Sequence, residues 1–199
     1  VFAYRVRSDP RLVRAKRQAS GRDWQGNEML LYSILEQQPA NLWALEVLGD
    51  LYRYHAFLER AAETYWQVLR LAGDDYSALP AWWFRRAGLT CAELGQAHKA
   101  LDIFALGRKY HPQVDFTLWE AHPRVDLGQA QEVLHQLRAQ VHESREVEER
   151  VFAWYEIGRC YEAQQQWQAA EAAFRASLKL DPLYRPSRRK LLGLRTQER

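Results

Sequence analysis

Cysteine, glycine, proline and long apolar stretches are all scarce in this chain, and each scarcity narrows the possible classes of protein. Only two cysteines occur, Cys91 and Cys160, far apart and without a CxxC pair. Both fall on apolar faces of predicted helices, so we interpret them as reduced core residues, which suits a reducing compartment. The seven prolines and ten glycines are spread out, which argues against long disordered or low-complexity segments. No apolar run approaches the roughly 18 residues of a membrane-spanning helix.

The motifs of common catalytic, metal and cofactor sites are missing as well. The sequence contains no HExxH, no Cys–His spacing of a zinc site, and none of GxGxxG after a strand, GxxxxGK[ST] or GxSxG. His135 and His142 are predicted to share one helix, but they are too far apart to hold a small ion without further ligands. Carboxylate groups at 59–63 and 143–149 are explained by charged helix faces. The sequence therefore predicts no enzyme, no metal site and no cofactor.

Positive charge is present, but it is concentrated at the two ends of the chain. The net charge is only +3, and basic residues are not interleaved with aromatic ones along one strip, so no nucleic-acid partner is expected. We favour solvated terminal helices over a docking patch. The two basic groups are Arg5, Arg7, Arg11, Arg14, Lys16, Arg17 and Arg22, and then Arg185, Arg188, Arg189, Lys190, Arg195 and Arg199.

Aromatic residues are abundant, and many of them recur at fixed intervals together with small residues. The chain has eight Trp, ten Tyr and seven Phe, which are residues that dominate cores and interfaces. Near the C-terminus one series follows the pattern W-x2-L-G-x2-Y-x8-A-x3-F-x2-A-x4-P: Trp154, Ile157, Gly158, Tyr161, Ala170, Phe174, Ser177 and Pro182. This series resembles the tetratricopeptide signature, a helix–turn–helix unit of about 34 residues. It departs from that signature at Ser177, which is another small residue.

Further copies of the pattern occur along the chain. A second copy has Leu45, Leu48, Gly49, Tyr52, Ala61 and Tyr65, and a third has Phe84, Ala87, Gly88, Gly95, Ala100, Phe104 and Pro112. A fourth, weaker copy echoes 94–104 at 127–137, with a one-residue ambiguity of register and an expected kink or break near His122, before Pro123. The predicted repeats are 8–41, 42–75, 81–114, 115–148 and 151–184, of which the first and fourth are degenerate. A capping helix follows at 186–199, with Ser187 as its expected N-cap.

The resemblance implies a single all-α domain over 1–199, a right-handed α-solenoid of stacked antiparallel helix pairs with a C-terminal capping helix. Glycine in a helix interior costs about 0.5–1 kcal/mol, so its recurrence in the first helices indicates a compensating gain. We expect this gain to be close approach of the paired helix, whose Ala61, Ala100 or Ala170 is also small. One repeat cannot cover its own apolar face, so the copies must stack.

The resemblance also implies a binding surface, because the first helices of tetratricopeptide proteins line a groove that holds an extended or helical peptide. Transferred position by position, the candidate partner-binding residues are Glu46, Asp50, Arg85, Arg86, Leu89, Trp119, Tyr155 and Arg159. Trp, Tyr and Arg are the residue types that anchor interfaces. Some relatives clamp the C-terminal carboxylate of chaperones with Lys, Asn and Arg. Binding of a chaperone tail is disfavoured here, because Glu46 and Asp50 stand where cations or amides are needed.

We therefore expect a non-catalytic interaction scaffold or adaptor that binds a peptide or helix of a partner protein in its groove. The alternative is an assembly or anchoring factor of a membrane-associated complex, with residues 1–22 and the basic C-terminus facing the membrane. The expected location is cytoplasmic. Membrane association through a missing N-terminal segment is the alternative, since residues 1–7 suit the tail of a removed anchor. Exposed Trp on an open array would allow a homodimer.

Overall fold

The computed structural model describes residues 10–18, 23–73 and 76–197. Over these ranges the chain forms eleven α-helices and no β-strand. The helices are α1 (Pro10–Gln18), α2 (Trp24–Gln37), α3 (Leu42–Tyr54), α4 (Leu58–Ala72), α5 (Ala81–Glu93), α6 (Ala97–Tyr110), α7 (Thr117–Asp126), α8 (Ala130–Glu143), α9 (Val147–Ala163), α10 (Trp167–Leu180) and α11 (Arg185–Gln197).

A residue in the left-handed backbone region stands in the short turns that follow α3, α5, α7 and α9. The four residues are Ala56, Gly95, Gly128 and Gln165, with φ of 61°, 72°, 81° and 58°. Glycine adopts this conformation without cost, and it fills two of the four positions. The intervals between the four match those between Tyr65, Phe104, Leu137 and Phe174. These turns therefore remove the one-residue ambiguity of register in α7 and α8.

The first of two compact units comprises Val1–Leu94 and Ala105–Val114. Within it, successive helices from α1 to α5 pack against one another, and α1 also contacts α3. The buried rings of Tyr65 and Trp83 meet edge to face, with their centroids 6.0 Å apart. A Cβ atom on Gly49 would lie 2.8 Å from the Tyr65 ring, so α3 approaches α4 at a distance that only glycine allows.

The second unit comprises Gly95–Phe104 and Asp115–Arg199. Successive helices from α7 to α11 pack together, and α7 also contacts α9. A Cβ atom on Gly158 would lie 2.4 Å from the ring of Phe174, which is fully buried in α10. The predicted close approach of paired helices is thus confirmed at Gly49 and Gly158. The group facing each glycine is an aromatic ring, however, and not the small residue of the paired helix.

Helix α7 continues through Pro123 to Asp126, so of the kink or break expected near His122 the break does not occur. Proline removes one helical hydrogen bond and costs about 3 kcal/mol in a helix interior. Trp119 and His122 are both buried in this short helix, which packs against α8 and α9. Because this packing favours the helical conformation on both sides of Pro123, tertiary contacts outweigh the local preference.

Ser187 is not the N-cap of the last helix, because α11 already begins at Arg185. The Ser187 side chain is fully buried, and its hydroxyl donates to Oγ of Ser177 at 2.9 Å. Ser177 in turn donates to the carbonyl oxygen of Val151 at 3.1 Å. This chain of hydroxyls joins α9, α10 and α11, and it gives a physical reason for serine where the repeat signature has alanine. No helix in the described ranges is long and apolar enough to cross a membrane.

Candidate functional site

The first helix of each pair, α3, α5, α7 or α9, ends just before one of the left-handed turn residues. When residues are counted back from these turn residues, the candidate residues occupy a few equivalent positions in the four helices. We call the position of Asp50, Leu89, His122 and Arg159 the inner position. One helical turn earlier lies a second position, the outer position, with Val47, Arg86, Trp119 and Glu156. Residues separated by one turn lie on the same face of a helix. The register therefore places most of the candidates on equivalent stripes of their own helices, which are described for each unit by itself.

In the first unit this stripe carries a cluster of opposite charges, the α3–α5 cluster, formed by Lys16, Glu46, Asp50 and Arg86. Nη1 of Arg86 lies 2.6 Å from Oδ2 of Asp50 and 3.4 Å from Oε1 of Glu46. Nζ of Lys16 lies 3.6 Å from the same oxygen of Glu46. The guanidinium of Arg86 also lies 4.7 Å from the ring centroid of Trp82, at cation–π distance. The cluster thus brings together three of the predicted residues, Glu46, Asp50 and Arg86.

The carboxylates of the α3–α5 cluster are held in a partly dehydrated setting. Burial raises the pKa of Asp50 above its ordinary value, although the nearby positive charge of Arg86 acts in the opposite direction. Burial likewise raises the pKa of Glu46, against the lowering effects of Lys16 and Arg86. Solvent still reaches the cluster, because the side chains of Arg86 and Asp50 are 29% and 27% exposed. A ligand can therefore contact these charges directly.

In the second unit the equivalent stripe carries the α7–α9 cluster, formed by His122, Asp126, Glu156 and Arg159. The Glu156 side chain is fully buried, with Oε1 2.7 Å from Nδ1 of His122 and Oε2 2.9 Å from Nη1 of Arg159. Arg159 also donates to the carbonyl oxygen of His122 at 3.3 Å and to the carboxylate of Asp126. Each charge in the cluster therefore has a partner of opposite sign or a hydrogen-bond acceptor.

The pKa of Glu156 is lowered despite its complete burial. Burial alone would raise it, but the charges and hydrogen bonds of His122 and Arg159 together lower the pKa below the ordinary glutamate value. No group of three or more His, Cys, Asp or Glu side chains suited to a metal ion occurs within the described ranges. In the α7–α9 cluster the guanidinium of Arg159 already bonds both carboxylates, which is the place a cation would take.

The two clusters use equivalent positions with opposite charge. In the first unit the inner residue of α3, Asp50, pairs with the outer residue of α5, Arg86. In the second unit the inner residue of α7, His122, pairs with the outer residue of α9, Glu156. The acid thus lies on the earlier helix in one unit and on the later helix in the other. The repeat conserves the geometry of the contact, while the residue types decide its polarity.

The remaining candidates are placed differently from the charged ones. Leu89, Trp119 and Tyr155 are at most 9% exposed, so each contributes mainly to packing. Trp119 packs against Phe152, with ring centroids 4.9 Å apart, and Tyr155 packs against Phe174 and Tyr184. Arg85 is half-buried on α5. Of the eight candidates, the structure therefore brings only the charged ones other than Arg85 into the two clusters.

His122, Asp126 and Glu156 were not among the selected residues, although they form most of the α7–α9 cluster. Glu156 occupies the outer position of α9, and His122 occupies the inner position of α7 once the register of that helix is known. The signal that could have found them is the pair of turn glycines, Gly95 and Gly128, which align α5 with α7. Pro123 and the ambiguous register obscured this alignment in the sequence.

Comparison with known proteins agrees with this geometry. Residues 151–184 match the tetratricopeptide repeat family. A thermophilic tetratricopeptide protein from Thermus thermophilus, TTC0263, superposes with a TM-score of 0.63 at 14% identity, covering 92% of this chain and 98% of that chain. YrrB, described as a tetratricopeptide protein with an unusual peptide-binding site, gives 0.57 at 16% identity over 91% and 90%. MamA AMB-1 gives 0.58 at 17% identity over 87% and 99%. No curated protein sequence matches this chain significantly.

These similarities confirm the predicted fold class. The sequence identity to these structures is well below 25%. The likeness therefore shows the fold alone and does not transfer the binding partners of those proteins to this chain. The sequence match covers the same helix pair, α9 and α10, that carries the full signature in this chain. Residues 151–184 thus match the tetratricopeptide repeat, and the described residues have the all-helical fold of tetratricopeptide-repeat structures.

Proposed function

We propose that this chain is a non-catalytic scaffold that binds a peptide or helix of a partner protein on a stripe of its first helices. Tetratricopeptide repeats are typical of protein–protein interaction scaffolds, and one of the similar structures, YrrB, is described as having a peptide-binding site. The observation that carries the proposal is the α3–α5 cluster. It places a partly exposed Arg86, stacked on Trp82, beside partly exposed carboxylates on two neighbouring first helices.

Of the two clusters, the α3–α5 cluster is the better contact surface. Arg86 and Asp50 keep more than a quarter of their side-chain surface exposed, whereas Arg159 keeps 11% and Glu156 none. An exposed charge can exchange its partner for a ligand group with little loss, while a buried charge that loses its partner is strongly destabilising. We therefore assign partner contact to the α3–α5 cluster and a supporting role to the α7–α9 cluster.

Catalysis is not proposed for the buried groups of the second unit. Glu156 and His122 resemble an acid–base pair, but Arg159 holds the second oxygen of Glu156. The nearby thiol of Cys160 is fully buried, and burial raises its pKa to about 12, so it stays protonated at neutral pH. A protonated thiol is a poor nucleophile. Both features suit a structural role better than a reactive one.

The membrane-associated alternative depends mainly on the ends of the chain. Residues 1–9, 19–22 and 198–199 lie outside the described residues, and with them Arg5, Arg7, Arg22 and Arg199 of the basic groups that would face a membrane. Self-association also remains a prediction. Sedimentation velocity of the purified chain over a range of concentrations would detect a homodimer as a faster boundary that grows with concentration.

The scaffold proposal is tested by selecting ligands for the folded chain. A displayed library of random peptides is selected on the purified protein, and the enriched peptides are titrated against the wild type, R86E and W82A. We expect each variant to weaken the selected peptides about tenfold, because a charged hydrogen bond or an aromatic contact at an interface is lost. R175E is the matched control, since Arg175 is a 57% exposed arginine whose ion pair among the described residues is with Glu171 on its own helix.

Thermal unfolding of each variant separates loss of binding from loss of fold. The proposal fails if the library yields no peptide that binds the folded wild type. It also fails if the selected peptides bind R86E and W82A as tightly as they bind R175E while all three variants remain folded.

A further inference from the structure

A cavity of about 440 Å³ opens between α9 and α11 in the second unit. This volume lies within the roughly 300–1,000 Å³ range of small-ligand pockets and is large enough for one or two side chains. The cavity lies at the end of the helix series, away from the α3–α5 cluster in the chain. Its lining residues are Tyr155, Glu162, Pro186, Arg189, Lys190, Gly193 and Leu194.

The inner part of the cavity is apolar. Tyr155 and Leu194 belong to a buried cluster with Ala170 and Phe174, and Leu191 packs against it. On the α11 side, Gly193 leaves the space open, because a Cβ atom built on it would meet nothing within 4 Å. An apolar side chain entering here would remove hydrophobic surface from water, which is favourable by roughly 25 cal/mol per Å².

The rim of the cavity carries an excess of positive charge. Its one carboxylate, Glu162, is already neutralised by Lys190, with the charged atoms 2.5 Å apart. Arg189 is exposed and has no ion pair among the described residues. Arg185 lies one turn before Arg189 on the same helix, and like charges at this spacing repel each other. An anionic group placed beside Arg189 would give this guanidinium a partner of opposite charge.

We propose that this cavity binds an acidic segment of a partner protein, which inserts an apolar side chain against Tyr155 and Leu194 and places a carboxylate on Arg189. The proposal rests on the scaffold function above and adds a second contact point with a defined chemistry. Both requirements come from the lining itself: an apolar floor beside a guanidinium that has no ion pair within the part of the chain that the structure describes. An arginine binds a carboxylate through two parallel hydrogen bonds, which gives the contact direction as well as charge.

A nucleic-acid strand fits this cavity less well than an acidic peptide does. Its phosphates would satisfy Arg189 but leave the apolar floor unused, and Glu162 would face the next phosphate. Stacking of bases needs exposed aromatic platforms, whereas Tyr155 is only 8% exposed. Nucleic acid is therefore retained as an outcome of the test, with an oligo-dT strand as its probe.

The test uses fluorescence anisotropy on the full chain with three labelled peptides, DELLDE, DESSDE and KKLLKK. We expect DELLDE to bind and both other peptides to bind at least about tenfold more weakly, because each lacks one of the two required features. R189E should weaken DELLDE about tenfold. R188E is the matched control, since Arg188 is the next residue, carries the same charge and does not line the cavity. It should weaken DELLDE less than about threefold, as expected for a solvent-screened charge that does not line the cavity.

G193L provides a variant that closes the cavity without harming the fold. The new side chain meets no atom near its Cβ, and leucine favours a helix more than glycine does, so unfolding should be unaffected or shifted to higher temperature. DELLDE binding should fall about tenfold or more as the space is filled. The proposal is overturned if wild type does not bind DELLDE, if R188E and R189E weaken it equally, if G193L binds normally, or if oligo-dT binds more tightly.

Failure here is distinguishable from failure of the scaffold function. Peptides selected on the wild type that respond to R86E but not to R189E or G193L would leave the α3–α5 cluster as the binding surface and reject the cavity. Binding of DELLDE that depends on Arg189 and Gly193, with no response to R86E, would support the cavity and count against the α3–α5 cluster.

Discussion

At the scale of single residues, the hydrogen-atom side chain of Gly158 sets how closely α9 approaches α10. Phe174 is fully buried opposite it, and a Cβ atom would lie 2.4 Å from its ring. We expect G158A to lower the free energy of unfolding by roughly 1–3 kcal/mol, because the buried ring cannot move away without disturbing its own packing. Urea unfolding followed by circular dichroism measures this change.

Gly193 supplies the matched control for Gly158. It also lies inside a helix, but a Cβ atom there would meet nothing within 4 Å. G193A should therefore stabilise the protein by about 0.5–1 kcal/mol through helix propensity alone. The changes in the free energy of unfolding for G158A and G193A need not be equal in size. An unfolding midpoint for G158A at or above that of the wild type would show that the ring of Phe174 does not limit the approach.

The fully buried acid Glu156 and the partly buried acid Glu46 should respond to pH in opposite directions. Because the pKa of Glu156 is lowered by folding, its contribution to stability is full above the ordinary value of 4.5 and is lost as the pH falls below it. E156Q should cost roughly 2–3 kcal/mol at neutral pH, and the difference from wild type should shrink towards acid pH. Urea unfolding at a series of pH values measures both effects.

Glu46 has a raised pKa, so the sign is reversed. Folding favours its protonated form, and the wild type gains stability relative to E46Q as the pH falls through the raised pKa. The side chain of Glu46 is only 13% exposed, so screening by solvent does not abolish this effect. If the stability difference from wild type changed with pH in the same direction for E156Q and E46Q, the assigned pKa directions would be contradicted, because Glu156 has a lowered pKa and Glu46 a raised one.

At the scale of helices, α11 is attached to the rest of its unit by a buried polar contact as well as by apolar packing. The hydroxyls of Ser187 and Ser177 form a chain that ends on the carbonyl oxygen of Val151. S187A should destabilise the protein by about 1 kcal/mol, the usual net value of such a bond, and should speed amide exchange in α11. Hydrogen exchange with mass spectrometry resolves α11 from its neighbours.

Ser33 is the control for Ser187, because its hydroxyl bonds within its own helix, to the carbonyl oxygen of Leu30 at 2.7 Å. That bond connects no second element, so S33A should leave exchange in its neighbouring helices unchanged. Unchanged exchange in α11 of S187A would show that apolar packing alone holds the last helix.

The tyrosine position of the repeat signature, occupied by Tyr52 and Tyr161, makes different contacts in different repeats. The hydroxyl of Tyr52 donates to Glu28 on α2 at 2.6 Å, whereas the hydroxyl of Tyr161 accepts from Arg138 on α8 at 2.6 Å. In both cases the tyrosine bonds to the second helix of the preceding pair. The signature fixes the tyrosine, but the partner and even the direction of the hydrogen bond depend on the neighbouring repeat.

At the scale of the whole molecule, contacts within each unit run almost entirely between neighbouring helices. Stability in such arrays is approximately a sum of repeat terms and nearest-neighbour terms, so a local defect spreads only a short distance. We expect G158A to speed amide exchange about tenfold or more in α9 and α10, with a smaller effect in α8 and α11 and none in α2–α4. Hydrogen exchange of the full chain measures all of these helices at once.

G49A is the reciprocal variant, since a Cβ atom on Gly49 would lie 2.8 Å from Tyr65 in the first unit. Its effect should centre on α3 and α4 and leave α9–α11 unchanged. Uniform acceleration across all helices by either substitution would indicate one cooperative unfolding event in place of nearest-neighbour coupling.

The helix pairs and their internal packing could be predicted from the amino-acid pattern alone. The spacing of Gly158, Tyr161, Ala170 and Phe174 predicts which residues face the partner helix. The reason is that residues about one helical turn apart in the sequence lie on the same face of a helix. The same reasoning placed Cys91 and Cys160 in the core, where both are buried. Local rules were sufficient here because both helices of a pair are close in sequence.

Which stripe residues meet, and which remain accessible, became known only from the assembled helices. Asp50 pairs with Arg86, and His122 with Glu156, across helices that are not consecutive in the chain. Tertiary packing also carried α7 through Pro123 and moved Ser187 from an expected cap to a buried contact. These outcomes depend on charge pairing and burial between separate repeats, whose energies arise only when the helices are assembled and which no local pattern contains.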